Sequence, residues 1–498
     1  MKAGAWLLLA VGGGAAWGLQ FSRQGFIVAP WLALAPLFFL LGHRRPALLS
    51  FVHGLAAWLV AIPWIVPTLH TYGGLPRPLA WLGLALLASY LAAFEAAWGW
   101  LGAPLWRLEG GRGLAATLVG LPALWVALEW VRAWFLSGFP WNLAAYAWVE
   151  VPGALPTTAW IGAFGLSGLL LAANSGVARA VLCRRWEPAC LGLLAPLLLL
   201  ALGGRWGTGE PPPAATRRPA RIVQPNIGNL VGWDAAAVQR NYEKLFGLSR
   251  QACDRPGALL VWPESAAWPY SYTAHETLRR DVDALAGSGC PVLLNSAHQE
   301  REGVWYNAGF LVAAGAPAAR YDKRHLVPFG EYVPLKGLLP FFDSLARNAG
   351  DFTAARELRL LPWEDERIGL AICFEVIFPA EVAEAVRGGA SLLVTITNDA
   401  WYGDTSAPWQ HLRAARFRAA ESRRPMLRAA ITGVSAVFAA DGSVAGQLGV
   451  GEEGVLRATV AGRRDLSPAS RWPRAVPLAA SGLAGVAILW ASRGRRRL

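Results

Sequence analysis

Three residues along this 498-residue chain combine a reactive side chain with a local setting suited to using it. Cys373 ends the apolar run RIGLAIC and is followed by Phe374, Glu375 and a helix-like stretch. A strand-to-helix turn exposes a side chain and aims the N–H groups of a helix start at it, as a thiol nucleophile requires. Lys323 stands in ARYDKRHLVPFGEY, directly after another strand-like run. The chain has four lysines (Lys2, Lys244, Lys323, Lys336) against 42 arginines, so a retained lysine points to a need for a compact ammonium of tunable pKa. Glu264, in VWPES, ends the apolar run ALLVW. A carboxylate where a buried strand ends is partly desolvated, which raises its pKa toward general-base values. Each residue also has an ordinary structural reading: a buried core cysteine, a surface lysine in a charged turn, a loop or helix-capping glutamate.

Five cysteines is an odd number, so at least one is unpaired within the chain. Cys253 and Cys290 lie in the same region as the three reactive residues and are free to form a disulfide, which sequence alone does not establish. Cys183 and Cys190 fall at a predicted membrane boundary and read as packing residues. Neither CxxC nor a Cys/His cluster with zinc spacing occurs, so no metal and no cofactor is expected.

The elements that must position these groups begin after TGEPPPAATRRPAR (208–221), a Pro-rich polar stretch too stiff and hydrophilic to span a membrane. From there ARIVQPN, ALLVWPES, PVLLNSA, WYNAGFLVAA, RIGLAIC and SLLVTITN read as strands. Residues 235–252, 274–286, 377–387 and 407–421 read as amphipathic helices. The Asp441-Gly442 pair predicts a hairpin between VSAVFAA and SVAGQLG. Mixed strands and helices of this length make one α/β domain, placed at 219–460 between a linker at 204–218 and another at 461–474. No internal repeat is evident.

The first 203 residues have another character. They hold five acidic side chains, none of them aspartate, and eleven basic ones. Apolar runs long enough to cross a bilayer, about 20 residues each, fall near 4–20, 26–42, 49–67, 79–104, 114–134, 156–182 and 188–203. The first two and the seventh are short. An eighth lies near 475–492, within a C-terminal piece, 475–498, that ends in a basic tail. Residues 1–20 also read as a signal peptide after Lys2, but the spans that follow favour a first membrane helix.

The net charge of +13 would point to nucleic acid on a soluble chain. Here ten of the excess charges belong to the membrane-like half and the last six residues, and the stretch between carries 28 acidic against 31 basic side chains. Nucleic acid is therefore not an expected partner. With the N-terminus inside, eleven basic residues fall on the cytoplasmic side and six on the other, the bias that cytoplasmic loops carry. Seven spans then place 204–474 outside the cytoplasm.

Glu264, Lys323 and Cys373 follow one another at intervals of 59 and 50 residues. Their segments WPE, YDKRHLVPFGE and AICFE resemble the three signature segments of the nitrilase superfamily. With YxKxHLVPFGEYVP, NDAWYGDTSAPWQH and the predicted spans, the whole chain is similar to the apolipoprotein N-acyltransferases, the membrane-embedded branch of that superfamily that completes bacterial lipoprotein maturation. The resemblance implies a polytopic α-helical membrane domain of about eight helices joined to an αββα sandwich. It also implies a multi-pass protein of the bacterial inner membrane with its catalytic domain on the periplasmic side.

The implied reaction moves a fatty acyl chain from a phospholipid to the N-terminal amine of a diacylglyceryl-cysteine apolipoprotein. Its partners would be those two substrates and the bilayer. A Cys373 thioester would divide the transfer into two steps with ping-pong kinetics. Glu264 would serve as base, and Lys323 with the Phe374 N–H would stabilise each oxyanion. The resemblance further assigns Glu331 and Glu375 as supporting glutamates and Trp233 to substrate handling. It also shows two departures, Phe374 where relatives usually have tyrosine and Ile431 where they often have asparagine.

The stretch VPLKGLLPFFDSLA (333–346) carries Leu338, Leu339, Phe341 and Phe342 and is expected to be an apolar lid at the outer leaflet, a core helix being its plainer reading. SGFPWNLAAYAW (137–148) is expected at the membrane interface. Two other functions compete: a membrane-anchored nitrilase-type amidase that uses water as acceptor, and a transporter with an extracytoplasmic domain. Eight spans are excessive for a tether, and no paired broken-helix pattern of a transporter appears.

Overall fold

The structure is a computed structural model that describes residues 2–206, 216–228, 234–333 and 351–495. It divides into two compact units, one of Met1–Val66, Pro78–Thr208 and Arg471–Leu498, the other of Pro67–Arg77 and Gly209–Ser470.

Among the described residues, six helices are long and apolar enough to cross a membrane: Gly4–Phe21, Arg77–Trp106, Gly110–Arg132, Ala154–Cys183, Glu187–Arg205 and Ala475–Arg493. A seventh span results if Pro46–Ala61 and Ile65–Tyr72, bent by 64° at their break, count as one. Pro63 lies in that break, where a missing N–H and a fixed φ interrupt the helix. The expected span at 26–42 is a shorter apolar helix, Ala29–Leu40. It consists of two pieces with Pro30 and Pro36 at their starts, so the expected eight full spans are not all present. Large apolar side chains such as Leu8, Trp100, Val181 and Val486 point outward, as they do on a surface solvated by lipid. Cys183 and Cys190 are exposed free thiols rather than packing residues.

Polar groups inside the first unit hold irregular backbone. Arg132 donates from Nη1 to the carbonyls of Phe139 and Trp141, at 2.8 and 2.9 Å. Glu129 accepts from the Ala144 N–H at 2.7 Å. The stretch expected at the interface is thus largely interior: Trp141, Tyr146 and Trp148 are all buried.

The second unit is built on two six-stranded sheets. In chain order its strands are β1 (Arg218–Gln224), β2 (Leu259–Val261), β3 (Val292–Arg301), β4 (Val304–Val312), β5 (Ala319–Asp322) and β6 (Leu361–Trp363). They continue as β7 (Glu366–Ile372), β8 (Leu392–Thr397), β9 (Met426–Ala430), β10 (Ser435–Phe438), β11 (Val444–Leu448) and β12 (Gly454–Val460). One sheet has the order β12-β1-β2-β3-β4-β5 and the other β11-β10-β9-β8-β7-β6. The expected Asp441-Gly442 hairpin joins β10 to β11.

Period-2 alternation sorts each strand between two cores. Ile222, Val261 and Leu293 share a cluster with Ile368, Leu370, Ile372, Val394 and Ile396 of the other sheet. Leu260, Trp262, Val292 and Leu294 point the opposite way, onto the helices Ala235–Ala252 and Glu276–Gly287 through Leu245, Phe246, Leu278 and Val282. The strands β1-β2-β3 and β7-β8-β9 run parallel within their sheets. Loops at the carboxyl ends of such strands are where α/β folds place their sites.

Cys253 and Cys290 form a disulfide across 37 residues of sequence. Closing a loop of that length restricts the unfolded chain and contributes about 2–4 kcal/mol. Replacing both with serine is expected to lower the unfolding free energy by about that amount, measured as a shift of the thermal transition. An unchanged transition would mean that the bond adds nothing.

Candidate active site

Glu264 lies three residues beyond β2, Lys323 directly follows β5, and Cys373 directly follows β7. Local chemistry fixes each of them. Cys373 adopts φ +52° between the end of its strand and a short 3-10 helix, Cys373–Ile377. A left-handed non-glycine residue costs about 1–3 kcal/mol and persists only where its surroundings hold it. Here the N–H of Ile372, just before the turn, donates to Glu375 Oε2 at 2.7 Å. Nε2 of His411 donates to the Cys373 carbonyl at 3.0 Å. The Cys373 peptide is therefore held from both sides.

Lys323 is 1% exposed. Its Nζ lies 2.9 and 2.8 Å from the two carboxylate oxygens of Glu331 and 3.8 Å from Glu264 Oε1. Asn307, on β4, donates from Nδ2 to both glutamates, at 3.0 Å to Glu264 and 2.7 Å to Glu331. It is oriented in turn by Asn295 on β3, whose Nδ2 donates to Asn307 Oδ1 at 2.6 Å. The backbone N–H of Asn398 donates to Glu264 Oε2 at 3.0 Å, and that of Val327 to Glu331 Oε2 at 2.8 Å.

Glu264, Lys323 and Glu331 thus belong to one charged network, of which Glu264 and Lys323 are buried and Glu331 half-buried. Burial acts to lower the Lys323 pKa, but the carboxylates of Glu331 and Glu264 outweigh it and hold the ammonium above its ordinary range. Burial pushes Glu264 up, against the pull of Lys323. It also pushes the Cys373 thiol up, with the Glu264 charge adding to it and Lys323 opposing. Burial thus favours the protonated thiol and raises the basicity of the Glu264 carboxyl.

Glu375 ties two elements together. Its Oε1 accepts from Tyr321 Oη, Arg324 N and His325 N, and its Oε2 from Ile372 N. Burial pushes this carboxyl up to about 7, against Lys323 and the donated N–H groups. Phe374 is buried, its ring 5.8 Å from that of His325 and 5.2 Å from that of Phe378. Ile431, at the other departure, packs in an apolar cluster with Ile227 and Ala400. Trp233 and the expected lid residues Leu338, Leu339, Phe341 and Phe342 lie outside the described residues. Among the described residues no group of three or more His, Cys, Asp or Glu side chains could hold a metal ion.

Sequence reasoning missed Asn295 and Asn307, although Asn307 interrupts an otherwise apolar strand, a signal that a buried partner awaits it. It also missed Thr397, Asp399, His411 and Arg428, which converge beneath the nucleophile from separate elements.

Because all four groups facing Glu375 are donors, Glu375→Gln turns an amide N–H₂ toward at least one of them. Leaving a buried donor unpaired costs about 1–3 kcal/mol, so this variant is expected to lose that much stability in denaturant unfolding. A native midpoint would show that the carboxylate does not brace the turn.

Comparison with known proteins follows the two units. The family profile for the apolipoprotein N-acyltransferase N-terminal domain matches residues 13–176, and that for carbon-nitrogen hydrolase matches residues 220–466. An apolipoprotein N-acyltransferase of Geobacter metallireducens is 36% identical, covering 91% of this chain and 89% of the relative. Those of Vibrio cholerae and Methylococcus capsulatus are 32% and 34% identical, covering 94% and 88% of this chain and 94% and 86% of their own lengths. With both halves matched in order and relatives similar along most of its length, the chain belongs to the apolipoprotein N-acyltransferase family, as an acyltransferase with a multi-helix membrane domain and a nitrilase-type catalytic domain.

Proposed function

We propose that the protein transfers a fatty acyl chain from a phospholipid to the N-terminal amine of a diacylglyceryl-cysteine apolipoprotein through a thioester on Cys373. The observation that carries this reading is the charged network of Glu264, Lys323 and Glu331 beside a strained, strand-ending cysteine. Two lipidated substrates need not meet in one site if the acyl group rests on sulfur between them.

Glu264 takes the proton from the Cys373 thiol as sulfur attacks the ester carbonyl carbon of the phospholipid. Negative charge moves onto the carbonyl oxygen, where the Lys323 ammonium and the Phe374 N–H stabilise it. Collapse breaks the ester C–O bond, and the leaving lysophospholipid oxygen takes the proton from Glu264. The lipoprotein amine then attacks the thioester carbonyl, Glu264 accepts the amine proton, and the C–S bond breaks. The thiolate recovers that proton, the amide product leaves, and the enzyme returns to its starting state. Asn307 and Glu331 hold Glu264 and Lys323 in register throughout.

In this reading the catalytic unit faces the periplasm of a bacterial inner membrane. The arginine bias of the short loops supports that orientation. So does the Cys253–Cys290 disulfide, a bond that persists in oxidising compartments. Trp233 would contribute to substrate handling and the 333–346 stretch would cover the lipid path.

Incubation with phospholipid followed by intact-mass measurement is expected to show one hydroxylamine-labile acyl adduct, absent from Cys373→Ala. A diacylglyceryl lipopeptide should then remove it as an amide. No adduct on the native enzyme would overturn the thioester, and release of free fatty acid alone would favour water as acceptor. Glu264 must be ionised to accept a proton, and burial raises its pKa above the reference value of 4.5. Lysophospholipid release is therefore expected to fall by about tenfold per pH unit on an acidic limb whose midpoint lies above the ordinary carboxylate range. A limb at or below that range would contradict the assignment.

A further inference from the structure

Beneath the nucleophile lies a second charged cluster that takes no part in the steps above. Asp399 follows β8 and is 1% exposed, His411 lies on the helix Ala407–Ser422, and Arg428 sits within β9. Both His411 and Arg428 are fully buried. Arg428 Nη2 donates to Asp399 Oδ2 at 2.7 Å, and His411 Nδ1 lies 3.2 Å from Asp399 Oδ1. His411 Nε2 reaches the Cys373 carbonyl at 3.0 Å, and since a carbonyl only accepts, that nitrogen carries the proton. The Thr397 hydroxyl lies 2.8 Å from Asp399 Oδ1 and 3.4 Å from Cys373 Sγ.

A hydroxyl has one proton to give, and the carboxylate is the stronger acceptor. At rest Thr397 therefore donates to Asp399 and accepts from the thiol. Once sulfur loses its proton, the hydroxyl can rotate to donate to the thiolate, and Arg428 still satisfies Asp399, while Nδ1 of the neutral His411 ring faces Arg428 Nη2 at 3.4 Å. Three buried ionisable side chains would be costly to keep for packing alone, because replacing such a cluster by apolar residues is often neutral or stabilising.

We propose that Asp399, His411 and Arg428 form a positioning cluster for Cys373. In it His411 fixes the Cys373 carbonyl, Asp399 fixes Thr397, and Arg428 anchors Asp399 and faces His411 Nδ1. The cluster holds the φ +52° turn at the end of β7, with the Thr397 hydroxyl 3.4 Å from Sγ. This inference rests on the thioester reading for its kinetic consequence, but not for the geometry of the thiol.

Three full-length variants test it: His411→Leu removes both ring contacts, His411→Gln keeps an N–H donor, and Asp399→Asn keeps the shape without the charge. Single-turnover acylation in phosphatidylethanolamine micelles is expected to slow by about 100-fold in His411→Leu, the scale of a misplaced reacting group. The half-saturating phospholipid concentration should stay within about twofold of native, since no substrate contact is removed. His411→Gln should recover at least about tenfold of the loss, and Asp399→Asn should be about tenfold slow.

A His411→Leu rate within about twofold of native would overturn the proposal. So would His411→Gln no faster than His411→Leu with both melting at the same lowered temperature, the pattern of a purely structural role. Should His411→Leu not fold, native rates in both other variants would overturn it, and slowed rates at native melting temperatures would support it.

Iodoacetamide alkylation of Cys373 gives a reading independent of acylation, with exposed Cys183 and Cys190 as internal references. If the native enzyme forms no acyl adduct, the thioester reading fails. The positioning proposal then stands or falls on whether the variants change the relative Cys373 alkylation rate, change supporting it and constancy overturning it.

Discussion

The site depends on one ammonium group taken out of water. Lys323 is almost completely buried, with Glu331 at hydrogen-bond distance and Glu264 one ångström farther away. Burying an isolated charge costs several kcal/mol, and here two carboxylates offset it, themselves satisfied by the amide of Asn307 and backbone N–H groups. The unequal distances separate the two glutamates. Glu331 neutralises the lysine closely, while at Glu264, farther away, burial outweighs the pull of the lysine and raises the pKa of the carboxyl.

The two-sheet fold provides the rigidity this balance requires. Glu264 extends from a parallel strand of one sheet and Cys373 from a parallel strand of the other, with the shared apolar core between them. Lys323 leaves β5, whose register on β4 sets it beside Asn307, with the Lys323 N–H bonded to the Asn307 carbonyl at 2.9 Å. Glu375 then joins the Lys323 segment to the nucleophile's turn through four donated hydrogen bonds. Strained backbone at Cys373 is sustained by these fixed neighbours rather than by its own preference.

Much of this was legible before any coordinates. Cys373 and Glu264 stand out because each ends an apolar run, and Lys323 because it is one of four lysines and follows a strand-like run; strand ends are where a fold can release a side chain into a site. The short apolar runs ALLVW and RIGLAIC mark their strands, and the Asp441-Gly442 pair marks its hairpin. Other features depend on contacts that spacing does not encode. Nothing local marks Cys253 as the partner of Cys290. The 26–42 run is apolar enough to span, but prolines at its piece boundaries cut it short. Aromatic residues at 141–148 resemble an interfacial belt, yet buried Arg132 and Glu129 draw that backbone inward. Asp399, His411 and Arg428 come from a loop, a helix and a strand, so only the folded chain brings them together.

The central claim is that Glu264 withdraws the Cys373 proton as the acyl group arrives. Pre-steady-state release of lysophospholipid tests it most directly, comparing native enzyme with Glu264→Gln, which keeps the shape of the side chain. The account predicts a burst of one lysophospholipid per native enzyme and a burst rate lower by about 10²–10⁴-fold in the variant, the usual contribution of a positioned base. A native burst rate in Glu264→Gln would contradict it.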